Sequence, residues 1–494
     1  MTKLFPTLAA LVFFFALQAG ARAAGHAESQ NGDVLTYHLN AARDGNFTVP
    51  GLNFASAKGL HRDPGFSAAI KGHVYAQPLY WHDGSGRGIL IVATENDTVY
   101  ALDAKSGQTI WQKTLGHPVP LSKLPCGDID PLGITATPVI DPATGTIYLD
   151  AMLRDEKSGA AVHEIFALSA KDGKVLAGWP VNVAAKLAAQ GFISRNQNQR
   201  GALTILDGSL YIPYGGNDGD CAEYYGWVVG VKLNDPGKVT SWHTAARGGG
   251  IWGPAGISSD GHALFVATGN TMDARQWGNG EAVIRLDPAL SFSGARKDFF
   301  APRDWQVLDE KDLDLGGVAP TLFDDAGKTL VLALGKNGYA YLLDRAELGG
   351  FGGSLASRRV SAARIITAAA AFPTSGGMLV AFHAPGLECK DRDGGELTVL
   401  RIRTAPSPSI ETAWCGAVHG AGAPIVTTTD GKKDPIVWML GAEGDNRLYG
   451  FQGDSGAMLY VSKPLPGLRH FQTLIATPTH LYVAADDTIY AFGF

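Results

Sequence analysis

Between Gly88 and Lys113 the chain reads GILIVATENDTVYALDAKSGQTIWQK, two runs of β-branched and aromatic residues around the polar triplet Glu95-Asn96-Asp97. This spacing predicts strands over ILIVAT and TVYALDA, a turn at Lys105-Ser106-Gly107, and a third strand over TIWQK. Leu102, Asp103, Gly107 and Trp111 give the pattern LDxxxGxxxW. The glycine suits a tight turn with positive φ, and the tryptophan is large enough to fill the gap between neighbouring sheets.

The same unit recurs to the end of the chain. Copies run from Gly145 to Trp179, Gly208 to Trp242, Gly261 to Ser291 and Lys328 to Ala346; GMLVAFHA with ELTVLRIR and Trp414 follows, then Asp434 to Tyr460 and Thr479 to Phe494. An earlier strand with a proline near its start also recurs, as AQPLYW from Ala76, ATPVID from Ala136, APTLF from Ala319 and APIVT from Ala423. Eight units of four antiparallel strands predict an all-β, eight-bladed propeller. The mean spacing of about 56 residues exceeds the roughly 40 to 45 of WD40 blades. The last unit ends before a fourth strand, so an N-terminal strand is expected to close the ring by pairing with the C-terminal blade, with Val34 to Asn40 as the donor.

Composition narrows the function classes. The chain has 494 residues, 45% hydrophobic and 18% charged, with 63 glycines, as a large core and many turns require. Its net charge of -6 argues against nucleic acid or an anionic membrane as partner. Lys3, the apolar run Leu8 to Leu17 and Ala21-Arg22-Ala23 read as an export signal over 1-23, which leaves 24-494 as one propeller domain in the periplasm or outside the cell. The run is too short for a membrane anchor.

An exported chain with four cysteines and no CxxC is expected to form disulfides. Cys389 lies in the long loop of blade 6 and Cys415 just past that blade's outer strand, while Cys126 and Cys221 both fall in loops over the channel mouth. The expected bridges are Cys389–Cys415 and Cys126–Cys221.

LDAKSGQTIW, with weaker copies at AKDGKVLAGW and GFQGDSGAMLY, resembles the repeat of the pyrroloquinoline quinone (PQQ) dehydrogenase propellers. The resemblance covers nearly the whole mature chain. It is nearest to exported members of that superfamily without a settled function, through TYHLNAARDG, CGDIDPLGITATPVID, NQRGAL, YYGWVVG and DLDLGG.

For quinoprotein alcohol dehydrogenases the resemblance implies a site on the face formed by the B–C loops and the connections between blades. GGGIWG and ATGN match stretches that would make Trp252 the platform under the quinone and Asn270 a calcium ligand. DLDLGG puts Asp314 in the place of the catalytic base, also beside the metal, and GKNG puts Lys336, followed by Asn337, against the quinone oxygens. Asp220 or Glu223 stands where the calcium-binding glutamate is expected, and Cys126 alone stands where those enzymes carry two adjacent cysteines. The implied activity is oxidation of an alcohol or sugar with hydride transfer to the quinone. Because CxxCH is missing, no haem is expected and the electron acceptor is a separate molecule. The alternative is a propeller that kept the fold without the cofactor and binds protein or glycan.

Overall fold

The computed structural model describes residues 1, 32–272, 274–389 and 395–494. The expected export signal lies outside the described residues. Eight sheets are arranged in sequence order, each built on four antiparallel strands. Blade 1 is typical, with an inner strand Leu79–His82, buried strands Gly88–Thr94 and Thr98–Asp103, and an exposed outer strand Thr109–Thr114. Burial sets that order, since the two middle strands are apolar on both faces and the outer one is largely polar. Blade 4 gains a fifth, parallel strand when Gly350–Phe351 pairs with Phe299–Ala301.

The repeat's tryptophan locks blade 1 to blade 2 and blade 6 to blade 7. Trp111 donates its indole N–H to the Ala170 carbonyl (3.0 Å) in the turn of blade 2, and Trp414 does the same to Gly453 in blade 7 (2.6 Å). A Cβ on Gly173, which has φ 70°, would meet the Trp111 ring at 2.6 Å, so the turn glycine serves both its backbone and the ring lying on it. Tyr482 closes the series by donating to the Ala104 carbonyl of blade 1 (2.6 Å).

An N-terminal strand does close the ring, but it is His61–Arg62, paired antiparallel with Thr488–Gly493. The segment Val34 to Asn40, expected in that position, crosses the central channel instead. Val34 is fully buried and Tyr37 nearly so, and an outer edge cannot bury both. His61 and Arg62 are exposed, as an outer strand allows.

The channel segment bonds to one inner strand after another. Val34 exchanges two backbone hydrogen bonds with Tyr80 of blade 1 (2.8 and 2.9 Å), and the Leu35 carbonyl accepts from Ile140 of blade 2 (2.8 Å). The carbonyls of Ala41, Ala42, Asp44 and Gly45 accept from Ser259, Leu322, Ala371 and Val426, in blades 4, 5, 6 and 7. Arg43 reaches blade 3, donating to the Leu203 carbonyl (2.8 Å) and the Thr204 hydroxyl (2.9 Å). Its other donors go to the carbonyls of Ile257 and Tyr37 and the Thr36 hydroxyl. Burial lowers the Arg43 pKa to about 9, so all its fixed acceptors are needed to keep the charge inside the ring.

Candidate active site

Asp314 is the centre of the mouth. It lies in the connection from blade 4 to blade 5 and is 2% exposed. Its Oδ1 accepts from the backbone N–H of Asn270 (2.8 Å), and its Oδ2 from the indole N–H of Trp252 (3.1 Å). The Lys336 ammonium sits 2.6 Å from the same Oδ2 and donates to Asp312 Oδ1 at 2.6 Å. Lys336 Nζ also lies 5.1 Å from the centroid of the Trp252 ring. Three residues from three connections and loops are thus tied to one carboxylate.

Local backbone makes this approach possible. Lys336 N–H donates to the Asp314 carbonyl (2.8 Å), fixing the two loops against each other before their side chains meet. A Cβ on Gly269 would stand 2.9 Å from Asp314 Oδ1, so the glycine before Asn270 lets the carboxylate reach that residue's N–H. Burial alone would lower the Lys336 pKa, but Asp314 and Asp312 outweigh it and hold it above the ordinary value.

The remaining expected residues divide into those that join this cluster and those that do not. Asp220 accepts from the Tyr224 hydroxyl (2.6 Å). Burial, then the charges of Asp314 and Asp312, raise its pKa, which places it in the same electrostatic neighbourhood. Cys126 and Cys221 form a disulfide beside it, and Cys389 and Cys415 form the second. Glu223 is exposed and only its carbonyl is engaged, by Asn196 (2.8 Å). Asn337 shapes its own turn, donating to the Tyr341 hydroxyl (2.8 Å) and accepting from Tyr339 N–H (3.0 Å). Among the described residues no three His, Cys, Asp or Glu side chains come together as metal ligands.

Sequence reasoning places Asp128 on this face but missed its partners, and missed two carboxyl-bearing neighbours, Glu281 and Asp309, altogether. Glu281 is fully buried and accepts from Leu315 N–H (2.7 Å), the residue after Asp314; burial and then the Asp314 charge hold its carboxyl well above the usual range. Asp309 takes the N–H and hydroxyl of Thr271 (2.8 and 2.6 Å), beside a cleft of about 690 Å³ that Asn270 and Arg247 also line. Asp128 pairs with Arg200 (3.4 Å) and His470 (3.5 Å) across the mouth. An acidic residue opening a strand within GNGEAV was the available signal for Glu281, whereas the partners of Asp128 and Asp309 depend on tertiary contact.

That far side holds a second group of polar residues. A cavity lined by Tyr37, Tyr75, Thr137, Arg200, Pro254 and His470 opens two residues along the chain from Trp252. Arg200 stacks over Phe471, 5.2 Å from the ring centroid. The buried Tyr37 hydroxyl has no hydrogen-bond partner.

Solved structures with this fold include dehydrogenases. The chain matches a quinohemoprotein alcohol dehydrogenase from Comamonas testosteroni at 14% identity and TM-score 0.64, over 94% of this chain and 81% of that chain. A europium-containing methanol dehydrogenase matches at 16% identity and TM-score 0.62, over 94% and 91%. BamB from Moraxella catarrhalis matches at 13% identity and TM-score 0.51, over 88% and 100%. The chain therefore has the eight-bladed propeller fold found in PQQ quinoprotein dehydrogenases. No protein-family model matches it, and no curated protein does. Among the described residues no helix is long and apolar enough to cross a membrane.

Proposed function

We propose that the protein is an exported dehydrogenase that holds a planar, anionic quinone of the pyrroloquinoline type in this mouth and oxidises an alcohol or a sugar. The observation that carries the proposal is the Asp314–Lys336–Trp252 cluster, a carboxylate, a cation and an aromatic face converging from separate blades. Trp252 supplies the stacking surface and Lys336 a cation for carbonyl oxygens. Bound, a quinone supplies a two-electron hydride acceptor.

The chain supplies the proton acceptor. Asp314 takes the substrate's hydroxyl proton, and Lys336 keeps Asp312 as counter-ion when the Asp314 charge is lost. Reoxidation falls to a separate electron acceptor. Burial of Asp314 favours the second reading, a binding scaffold in which the cluster only fastens blades 4 and 5. Dye-linked oxidation of an alcohol and sugar panel by protein supplied with PQQ separates the two. Turnover that vanishes in Asp314→Asn supports the dehydrogenase, and no turnover with no bound quinone ends it.

A further inference from the structure

The family resemblance implies calcium on Asn270 and Asp314 with Asp220 or Glu223 completing the set. The Asp314 carboxylate, on which that set depends, is already engaged at both oxygens. Ca²⁺ takes about six to eight oxygen ligands at roughly 2.3 to 2.6 Å. Asp314 Oδ2 has an ammonium at 2.6 Å, which is the distance a calcium ion would itself occupy. Its Oδ1 is taken by Asn270 N–H, Asp220 by the Tyr224 hydroxyl, and Glu223 faces solvent.

Lys336 does in this mouth what a divalent ion does elsewhere. Its ammonium bridges two carboxylates, Asp312 and Asp314, at 2.6 Å each. It is not a loosely held surface charge, because the side chain is 11% exposed and its backbone N–H is bonded to the Asp314 carbonyl. A second cation within contact distance of Asp314 would face the ammonium at close range in a partly desolvated site, where like-charge repulsion is strong.

We infer that this mouth is metal-independent, with the Lys336 ammonium occupying the cation position between Asp312 and Asp314. Its further role, polarising a carbonyl oxygen of a bound quinone, rests on the function proposed above. The cation assignment does not, and it can be tested on the protein without any quinone.

The test is calcium titration of the full chain by calorimetry, with thermal unfolding in millimolar Ca²⁺ and in EDTA. Wild type is expected to show no saturable site in the mouth and the same melting temperature in both buffers. Lys336→Ala leaves Asp314 and Asp220 without their cation and Asp312 with Arg364 alone (3.7 Å), and is expected to gain one calcium per chain, with a higher melting temperature in Ca²⁺. Lys336→Arg keeps the charge and should behave as wild type, which guards against a misfolded alanine variant. Saturable calcium binding by wild type that Asn270→Ala or Asp314→Asn removes would overturn the inference, as would a folded Lys336→Ala that binds none. Quenching of tryptophan fluorescence by PQQ gives the second arm. Affinity in EDTA should lie within about threefold of that in Ca²⁺. Binding that requires Ca²⁺ overturns metal independence. Absence of quenching in both buffers counts against the quinone alone, and the calcium titration still decides the cation position.

Discussion

The Arg43 guanidinium and the Leu203 carbonyl, 160 positions apart in the chain, meet at 2.8 Å in the middle of the ring. Arg43 also serves the carbonyls of Tyr37 and Ile257, all within the buried channel segment and its neighbours. Arg43→Met retains most of the volume and leaves these acceptors unpaired. It is expected to destabilise the fold by about 3 to 5 kcal/mol, read as a lower urea midpoint. Arg43→Lys should recover part of the loss, and a shift under about 1 kcal/mol would show that the segment is held by its backbone bonds alone.

The two disulfides should contribute unequally. Cys126–Cys221 closes a separation of 95 residues and Cys389–Cys415 one of 26. Loop-closure entropy assigns them about 4.7 and about 3.5 kcal/mol respectively. Serine pairs replacing each bridge, compared by denaturant unfolding, are expected to rank in that order. The reverse order would mean that the mouth tolerates release of Cys126 without loosening its loops.

Stability should fall between mildly acidic and neutral pH because of Glu95. Burial pushes its carboxyl from 4.5 up to about 7, with the Gly133 N–H offsetting part of the effect. A raised native pKa gives a contribution fully present below about 4.5 and lost as pH rises through about 7. The difference corresponds to about 3 kcal/mol. Glu95→Gln keeps an acceptor for Gly133 and should flatten this slope, making the variant the more stable one above neutral pH. Unfolding midpoints at acid and alkaline ends of the window check the sign.

Trp252→Ala and Asp314→Asn should separate binding from turnover. Loss of the indole face is expected to weaken PQQ binding roughly tenfold. Asp314→Asn is expected to lower kcat by about 10² to 10⁴ with a much smaller change in PQQ affinity, because a base acts in the transition state. Undiminished turnover in Asp314→Asn would keep the enzyme and dismiss this residue as its base.

The blades were legible because their signals are local and repeated. Trp111 and Gly107 stand at fixed offsets in the repeat, and the contact of Trp111 with the turn glycine Gly173 of the next blade recurs between Trp414 and Gly456. Trp252, Asn270, Asp314 and Lys336 could be grouped because loop order in a propeller fixes which connections share a face. Val34 to Asn40 was misplaced for the opposite reason. Val34 and Leu35 bond to strands of two different blades and the carbonyls just beyond Asn40 to four more, so no alternation along the segment marks its partners. The true closing strand, His61–Arg62, is two exposed residues long and carries no pattern. Glu281 escaped because burial of a carboxyl between blades is decided by what the next blade brings against it.

The segment through the channel can also be regarded as a ruler. Between Val34 and Gly45 it contacts blades 1 to 7, nearly all in turn, through the Val34 bridge, single carbonyls and Arg43. A ring with one blade more or fewer would shift every inner strand beyond the change away from its matching carbonyl. Blade number in this chain is therefore written twice, once in the count of repeats and once in the spacing of a dozen residues that belong to none of them. Duplication of a blade would have to be matched by a change in that short stretch.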